Sequence, residues 1–318
     1  MDKPTWVKNF ALCKEIEIAG KFIYDGMLDL NKMLNYVDDE NIFCFLYKVS
    51  VGIERLQKIA YTLLKNPNES EYEIIEKELI THSHMELHNK IKKIVNLELS
   101  KHQNSFIQML DSFYKTYRYD RFNLNTNLTG ERYIFIEYIK KGLSKNIETQ
   151  DIFISPVDEQ TKRFLGRVIG ALAKLYYELI HNQSEKLNIY TYELNSCSKS
   201  MKIFQNDCNE RNLRQQFIDE QIAYKELIIF LMNTTKSSGF YKFIKEIPPL
   251  DIDIPLVQDY LYEIIKGDVP QALIDEIDFL YSEQNDEFDL KERLEMLKCI
   301  GNPNCHFPNE DEFFDDFE

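Results

Sequence analysis

The fold is decided by one stretch, Asn41-Ile-Phe-Cys-Phe-Leu-Tyr-Lys-Val-Ser-Val-Gly-Ile-Glu-Arg-Leu-Gln-Lys-Ile-Ala-Tyr-Thr-Leu-Leu64. Ile42, Phe45, Leu46, Val49, Ile53, Leu56, Ala60 and Leu63 recur every three or four residues. That period puts them on one stripe of a long helix, with Asp38 and Asp39 just before it as capping candidates. Working outward, the same spacing predicts one or two helices from Thr5 to about Tyr36, with Gly20 and Gly26 as breaks. Further helices are expected over residues 70–80, 83–97, 100–119 and 131–143, with a polar loop at 123–130. Ser155-Pro156 reads as a helix start. A very long helical pattern runs from there to about Phe204, broken once near Asn182–Ser184. Gln215–Asn233 is helical, and the prolines of residues 247–255 impose an extended segment. Three shorter helices follow near Pro255–Lys266, Pro270–Ser282 and Leu290–Cys299.

The expected fold class is all-α, an N-terminal up-and-down helical bundle followed by a second helical part. Composition agrees: 318 residues carry only 10 Gly and 9 Pro, while 44% are hydrophobic and 13% aromatic. Such a chain turns rarely and has the material for a core. No run approaches the length of a membrane span, and the start MDKPTWVKNF lacks the apolar stretch of a signal peptide. A cytoplasmic protein that contacts no membrane is expected. The six cysteines (Cys13, Cys44, Cys197, Cys208, Cys299 and Cys305) form no CxxC and are expected as reduced thiols.

Charge is uneven. Residues 1–154 hold 21 basic and 22 acidic side chains, and the remainder 17 and 31. This shift and the SerPro start place a boundary near residues 145–155, giving parts 1–150 and 151–308. The tail 309–318 is acidic and aromatic, expected to be flexible. The overall charge of −15 disfavours binding of duplex nucleic acid, so any nucleic-acid contact should be a local patch in the first half. The GxxxxGK[ST], GxGxxG and GxSxG motifs are absent, which removes P-loop, Rossmann and serine-hydrolase chemistry and leaves no cofactor implied.

Four constellations remain. In Thr81-His-Ser-His-Met-Glu-Leu-His88, His84 and His88 lie one helical turn apart, a spacing at which two imidazoles either share a metal or pack at a helix edge. The pattern HExxH is absent and no further ligand can be assigned, so no metal is expected. In Phe113-Tyr-Lys-Thr-Tyr-Arg-Tyr-Asp-Arg-Phe122, Lys115, Arg118 and Arg121 fall three apart and form one cationic stripe for as long as the helix lasts. Tyr117, Tyr119 and Phe122 lie beside them. Arginine interleaved with aromatic rings suits phosphate contacts and base stacking; the same arginines could instead satisfy Asp111 or Asp120. Glu54-Arg55, inside the apolar helix, is either a surface stripe or a buried pair at a site. Arg163, Arg167, Tyr176, Tyr177, Glu178 and His181 fit a cleft or a helix edge equally.

The order Ser50-Val-Gly-Ile-Glu-Arg-Leu-Gln-Lys58, then His84-Met-Glu-Leu-His-Asn-Lys-Ile91, then Tyr117-Arg-Tyr-Asp-Arg-Phe122 resembles the HEPN superfamily over about residues 10–145. Members are helical bundles of prokaryotic defence, toxin and RNA-metabolism systems. The resemblance implies an often dimeric bundle with an RNA-facing groove between two helices. Its ribonucleases carry Arg followed four to six residues later by His. Here the first histidine after Arg55 is His82, and after Arg118, Arg121 and Arg132 it is His181. That departure leaves binding or scaffolding rather than catalysis.

The leading expectation is therefore a non-catalytic or weakly catalytic binder of single-stranded RNA or a nucleotide. Its candidate residues are Arg55, His84, His88, Lys115, Arg118, Tyr119 and Arg121. The rival is a protein-interaction module acting through the acidic C-terminal half and its tail. A metal-dependent hydrolase built on His84 and His88 is the third reading.

Overall fold

The Asp38 carboxylate accepts the Asn41 N–H, and from that cap one helix runs unbroken to Lys65, where Asn66 adopts a left-handed conformation and ends it. The structure is a computed structural model, and it describes residues 1–124, 130–149, 154–196, 198–205, 212–235, 238–283 and 290–307. The tail 309–318, Cys197 and Cys208 lie outside the described residues. In chain order the helices are α1 (Lys3–Trp6), continued by a π turn, Val7–Ala11, into α2 (Leu12–Lys32), then α3 (Asp39–Lys65), α4 (Tyr72–Glu78) and α5 (His84–Lys92). There follow α6 (Lys101–Ser112), α7 (Gly130–Leu143), α8 (Glu159–Leu187), α9 (Lys199–Phe204) and α10 (Leu213–Asn233). The last are α11 (Gly239–Glu246), α12 (Ile254–Ile265), α13 (Gln271–Glu283) and α14 (Leu290–Cys299). The class is all-α: among the described residues the only strand-like pairing is an isolated bridge, Asn35 with Pro156.

Several local expectations are corrected. Gly20 and Gly26 do not break α2. Glycine serves close approach here: a Cβ on Gly26 would stand 2.8 Å from Val49 Cγ2, and one on Gly52 would stand 2.6 Å from Ile23 Cγ1. The α2–α3 pair is packed at backbone distance because both faces carry a glycine. Ser155-Pro156 does not start a helix. Pro156 sits in the bridge to Asn35, and α8 begins three residues later at Glu159, capped by Asp158, whose carboxylate accepts the Thr161 N–H at 3.0 Å. Nor does α8 break near 182–184. It ends at Asn188, again left-handed, and α9 is a separate short helix.

The chain divides into two compact units, residues 1–219 and 220–318, rather than near 145–155. The charge shift does not mark the division because α8 belongs to the N-terminal core. The Tyr36 hydroxyl meets Thr161 at 2.8 Å inside that core, and Gln57 of α3 meets Tyr176 of α8 at 3.0 Å. Fully buried Ile16, Ile23, Phe45, Ile53, Leu165, Ile169 and Leu172 build the centre from α2, α3 and α8. In the second unit, Tyr260 is the single buried hydrophobic side chain among the described residues; its hydroxyl donates to Glu276 at 2.6 Å.

Candidate functional site

Along one side of α3, Glu54 is 7% exposed although it is charged. Burial of a carboxylate is tolerated only with partners, and two are present. Lys58, one turn on, reaches it at 2.7 Å, and His82 Nδ1 donates to it at 3.2 Å. That bond fixes the His82 tautomer and leaves Nε2 as the outward-facing nitrogen. His82 sits in the connection between α4 and α5, with its ring 5.0 Å from that of Tyr114.

Tyr114 lies in a π turn, Phe113–Tyr117, which follows α6. The wider turn is closed by Arg118 N–H on Phe113 C=O at 2.9 Å, and it lifts the next residues out of helical register. Arg118 therefore stacks among three tyrosines: its guanidinium carbon is 4.4 Å from the Tyr114 ring centroid, 4.6 Å from Tyr119 and 5.4 Å from Tyr47. It donates to the Tyr119 hydroxyl, and among the described residues no carboxylate pairs with it. Beside it Lys115 reaches Asp111 and Ser83 Oγ, both at 2.8 Å. Burial opposes ionisation of Asp111, yet hydrogen bonds from Lys115, Ser83 and the Met85 N–H outweigh it and hold this carboxyl below its usual range. Burial, with Glu54 nearby, raises the Tyr114 phenol, so it stays a neutral donor.

Two adjoining cavities, about 420 and 540 Å³, share His82 and Tyr114 as their common wall. The first is lined by Glu15, Phe22, Tyr47, Glu54 and Arg55, and the second by Ser83, Glu86, Lys115, Arg118 and Tyr119. Both sizes suit a small organic ligand or one nucleotide unit. In the first cavity Arg55 is paired with Glu15 and lies 5.8 Å from the Phe22 centroid. In the second, Glu86 is tied up by Lys90 at 2.7 Å and Thr81 at 2.8 Å, so the cations Lys115 and Arg118 set its character.

Arg55, Lys115, Arg118 and Tyr119 thus line these two adjoining cavities, Arg55 the first and the other three the second. Arg121, His84 and His88 do not. The single stripe expected of Lys115, Arg118 and Arg121 is broken because the helix becomes a π turn and then a 3-10 turn, Asp120–Phe122. Arg121 is committed to Glu131, which is 2% exposed, and Asp111 takes Lys115 rather than either arginine. His84 and His88 are buried behind the groove. His84 Nε2 meets Ser50 Oγ at 2.7 Å and its Nδ1 faces Gln57 Oε1 at 3.3 Å, while His88 Nδ1 faces the Tyr176 hydroxyl at 3.0 Å. Both His84 nitrogens and His88 Nδ1 thus have partners within the protein, and the two imidazoles share none of them. Tyr176 is likewise fully buried.

His82, Tyr47 and Tyr114 were not among the candidates, and Glu54 was read only with Arg55, as a surface stripe or a buried pair at a site. Tyr114 precedes Arg118 by four residues and stood in the quoted aromatic run, so that signal was in the sequence. The meeting of His82 with Glu54 is a tertiary event between residues 28 apart. No family model, no curated protein and no solved structure matches this chain.

Proposed function

We propose that the groove around Arg118 binds single-stranded RNA or a nucleotide, as a non-catalytic or weakly catalytic cytoplasmic binder. The observation that carries this reading is the Arg118 guanidinium, held over the rings of Tyr47, Tyr114 and Tyr119 with no carboxylate partner among the described residues. Stacking fixes the cation without neutralising it, so its charge remains for a phosphate. Lys115 stands in the same cavity wall as a further donor, and the exposed Tyr119 ring offers a stacking face for a base. Residues 1–219 carry 30 basic and 30 acidic side chains, so attraction must be local to the groove. The resemblance to HEPN bundles supports the same reading, since it too puts RNA in a groove beside these helices.

Hydrogen exchange of the full chain with and without a short single-stranded RNA tests the location. Protection confined to residues 80–86 and 113–119 is expected. Protection elsewhere, with none in those segments, would remove the groove from the account.

A further inference from the structure

We infer that the first cavity, beside α2 and α3, is a binding site for a free α-amino acid with an apolar side chain. The inference stands apart from the groove reading, because the ligand meets Arg55 and Glu15 rather than Arg118. The cavity holds about 420 Å³ and has two kinds of wall. Leu12, Phe22, Val51, Ile59 and Leu79 make an apolar one. Four charged side chains, Glu15, Glu54, Arg55 and Lys58, make the other.

Hydrogen bonding separates these four charges. Glu54 is satisfied from two sides, by Lys58 at 2.7 Å and by His82 at 3.2 Å. Arg55 and Glu15 are satisfied only toward each other, through Nη1 and Oε2. Among the described residues the Nε–Nη2 edge of Arg55 takes no hydrogen bond, and its Nε is shielded from solvent without a partner. Glu15 Oε1 has no partner there either. A covered N–H without an acceptor is unfavourable, so an acceptor brought by a ligand is a gain.

A carboxylate and an ammonium on one carbon fit this pair. The ligand carboxylate accepts from the Arg55 edge, in the two-bond geometry a guanidinium offers, and the ligand ammonium donates to Glu15 Oε1. Its side chain lies along the apolar wall. Charge excludes the simpler classes. The four charged groups sum to zero, so a phosphate or a plain carboxylic acid would leave net negative charge beside Glu15 and Glu54. A plain amine would leave the Arg55 edge unmet. A zwitterion serves both partners and keeps the site neutral.

Calorimetric titration of the full chain near neutral pH tests this with L-phenylalanine, L-leucine and three controls. Phenylpropanoate lacks the ammonium, phenethylamine lacks the carboxylate, and L-serine lacks the apolar side chain. At least one of the two apolar amino acids is expected to bind about tenfold or more tightly than every control, a gap of about 1.4 kcal/mol. Arg55→Gln is expected to weaken that binding by at least about tenfold, the same energetic gap. Glu15→Gln is expected to remove the advantage over phenylpropanoate. Val51→Phe, which fills the cavity, is expected to weaken binding while far-UV ellipticity is retained. Failure of both amino acids to bind at millimolar concentration overturns the inference, as does a control that binds equally well. Unchanged affinity in folded Arg55→Gln or Val51→Phe overturns it too, because the ligand then sits elsewhere. Where a variant loses its fold, the wild-type comparison of the five compounds decides alone.

Discussion

The Tyr176 hydroxyl donates to His88 Nδ1 across 3.0 Å, joining α8 to α5 in the interior. The same hydroxyl accepts from Gln57 Nε2 at 3.0 Å, and Gln57 in turn faces His84. Each donor in this chain of side chains has one acceptor, provided both imidazoles are neutral.

Removing its central hydroxyl should therefore be costly. Tyr176→Phe leaves the Gln57 amide and His88 Nδ1 without this partner inside the protein. A loss of about 1–3 kcal/mol is expected, read as a lower urea midpoint with an unchanged slope. A change within error would show that the bonds are not formed in solution.

Acid should destabilise the fold through the same residues. Burial pushes the His84 imidazole down to about 4 from 6.5, and burial together with Lys92 lowers His88. The unfolded chain binds these protons first as pH falls, so stability drops between about pH 6.5 and 4 and is level above about 7. The full loss from His84 is on the order of 3 kcal/mol. Urea unfolding at pH 7.5, 6 and 5 checks the direction. In His84→Gln the slope should become shallower; stability that rises on acidification would contradict the assignment.

Gly52→Ala tests the α2–α3 contact. The new methyl would stand 2.6 Å from Ile23 Cγ1 and 2.9 Å from the Ala19 carbonyl oxygen. Ile23 can turn aside, but the carbonyl is backbone, so a loss of about 1–3 kcal/mol is expected. Thermal melts measure it, and an unchanged melting temperature would mean the two helices lie further apart.

The long helices were legible in the sequence, because α3 and α8 repeat their apolar residues at the helical period and α3 has its cap in plain view at Asp38. Glycine was the ambiguous residue: at Gly26 it is a contact between helices, and local sequence cannot distinguish that from a break. The proline of Ser155-Pro156 was read as a helix start, whereas the neighbouring Asp158 supplies the cap. Half the groove was legible, since Lys115, Arg118 and Tyr119 form a local pattern. The π turn that separates Arg121 from them has no local signature. The burial of His84 and His88 depends on α8, some 90 residues further along the chain. Glu54 looked like one half of a surface pair with Arg55; its partners are Lys58 and His82.

The most direct measurement is a fluorescence-anisotropy titration of short single-stranded RNA with wild-type protein and Arg118→Gln, repeated across salt concentrations beside thermal melts. Wild type should bind at near-physiological salt. Arg118→Gln should bind more weakly, with a salt slope of log K smaller by up to about 0.7 for the lost phosphate contact. Its melting temperature should stay nearly unchanged, because a half-buried arginine with no carboxylate partner among the described residues leaves no charge stranded. Wild-type protein that binds neither RNA nor a nucleotide at tens of micromolar, or a variant that binds as well with the same slope, would contradict the account.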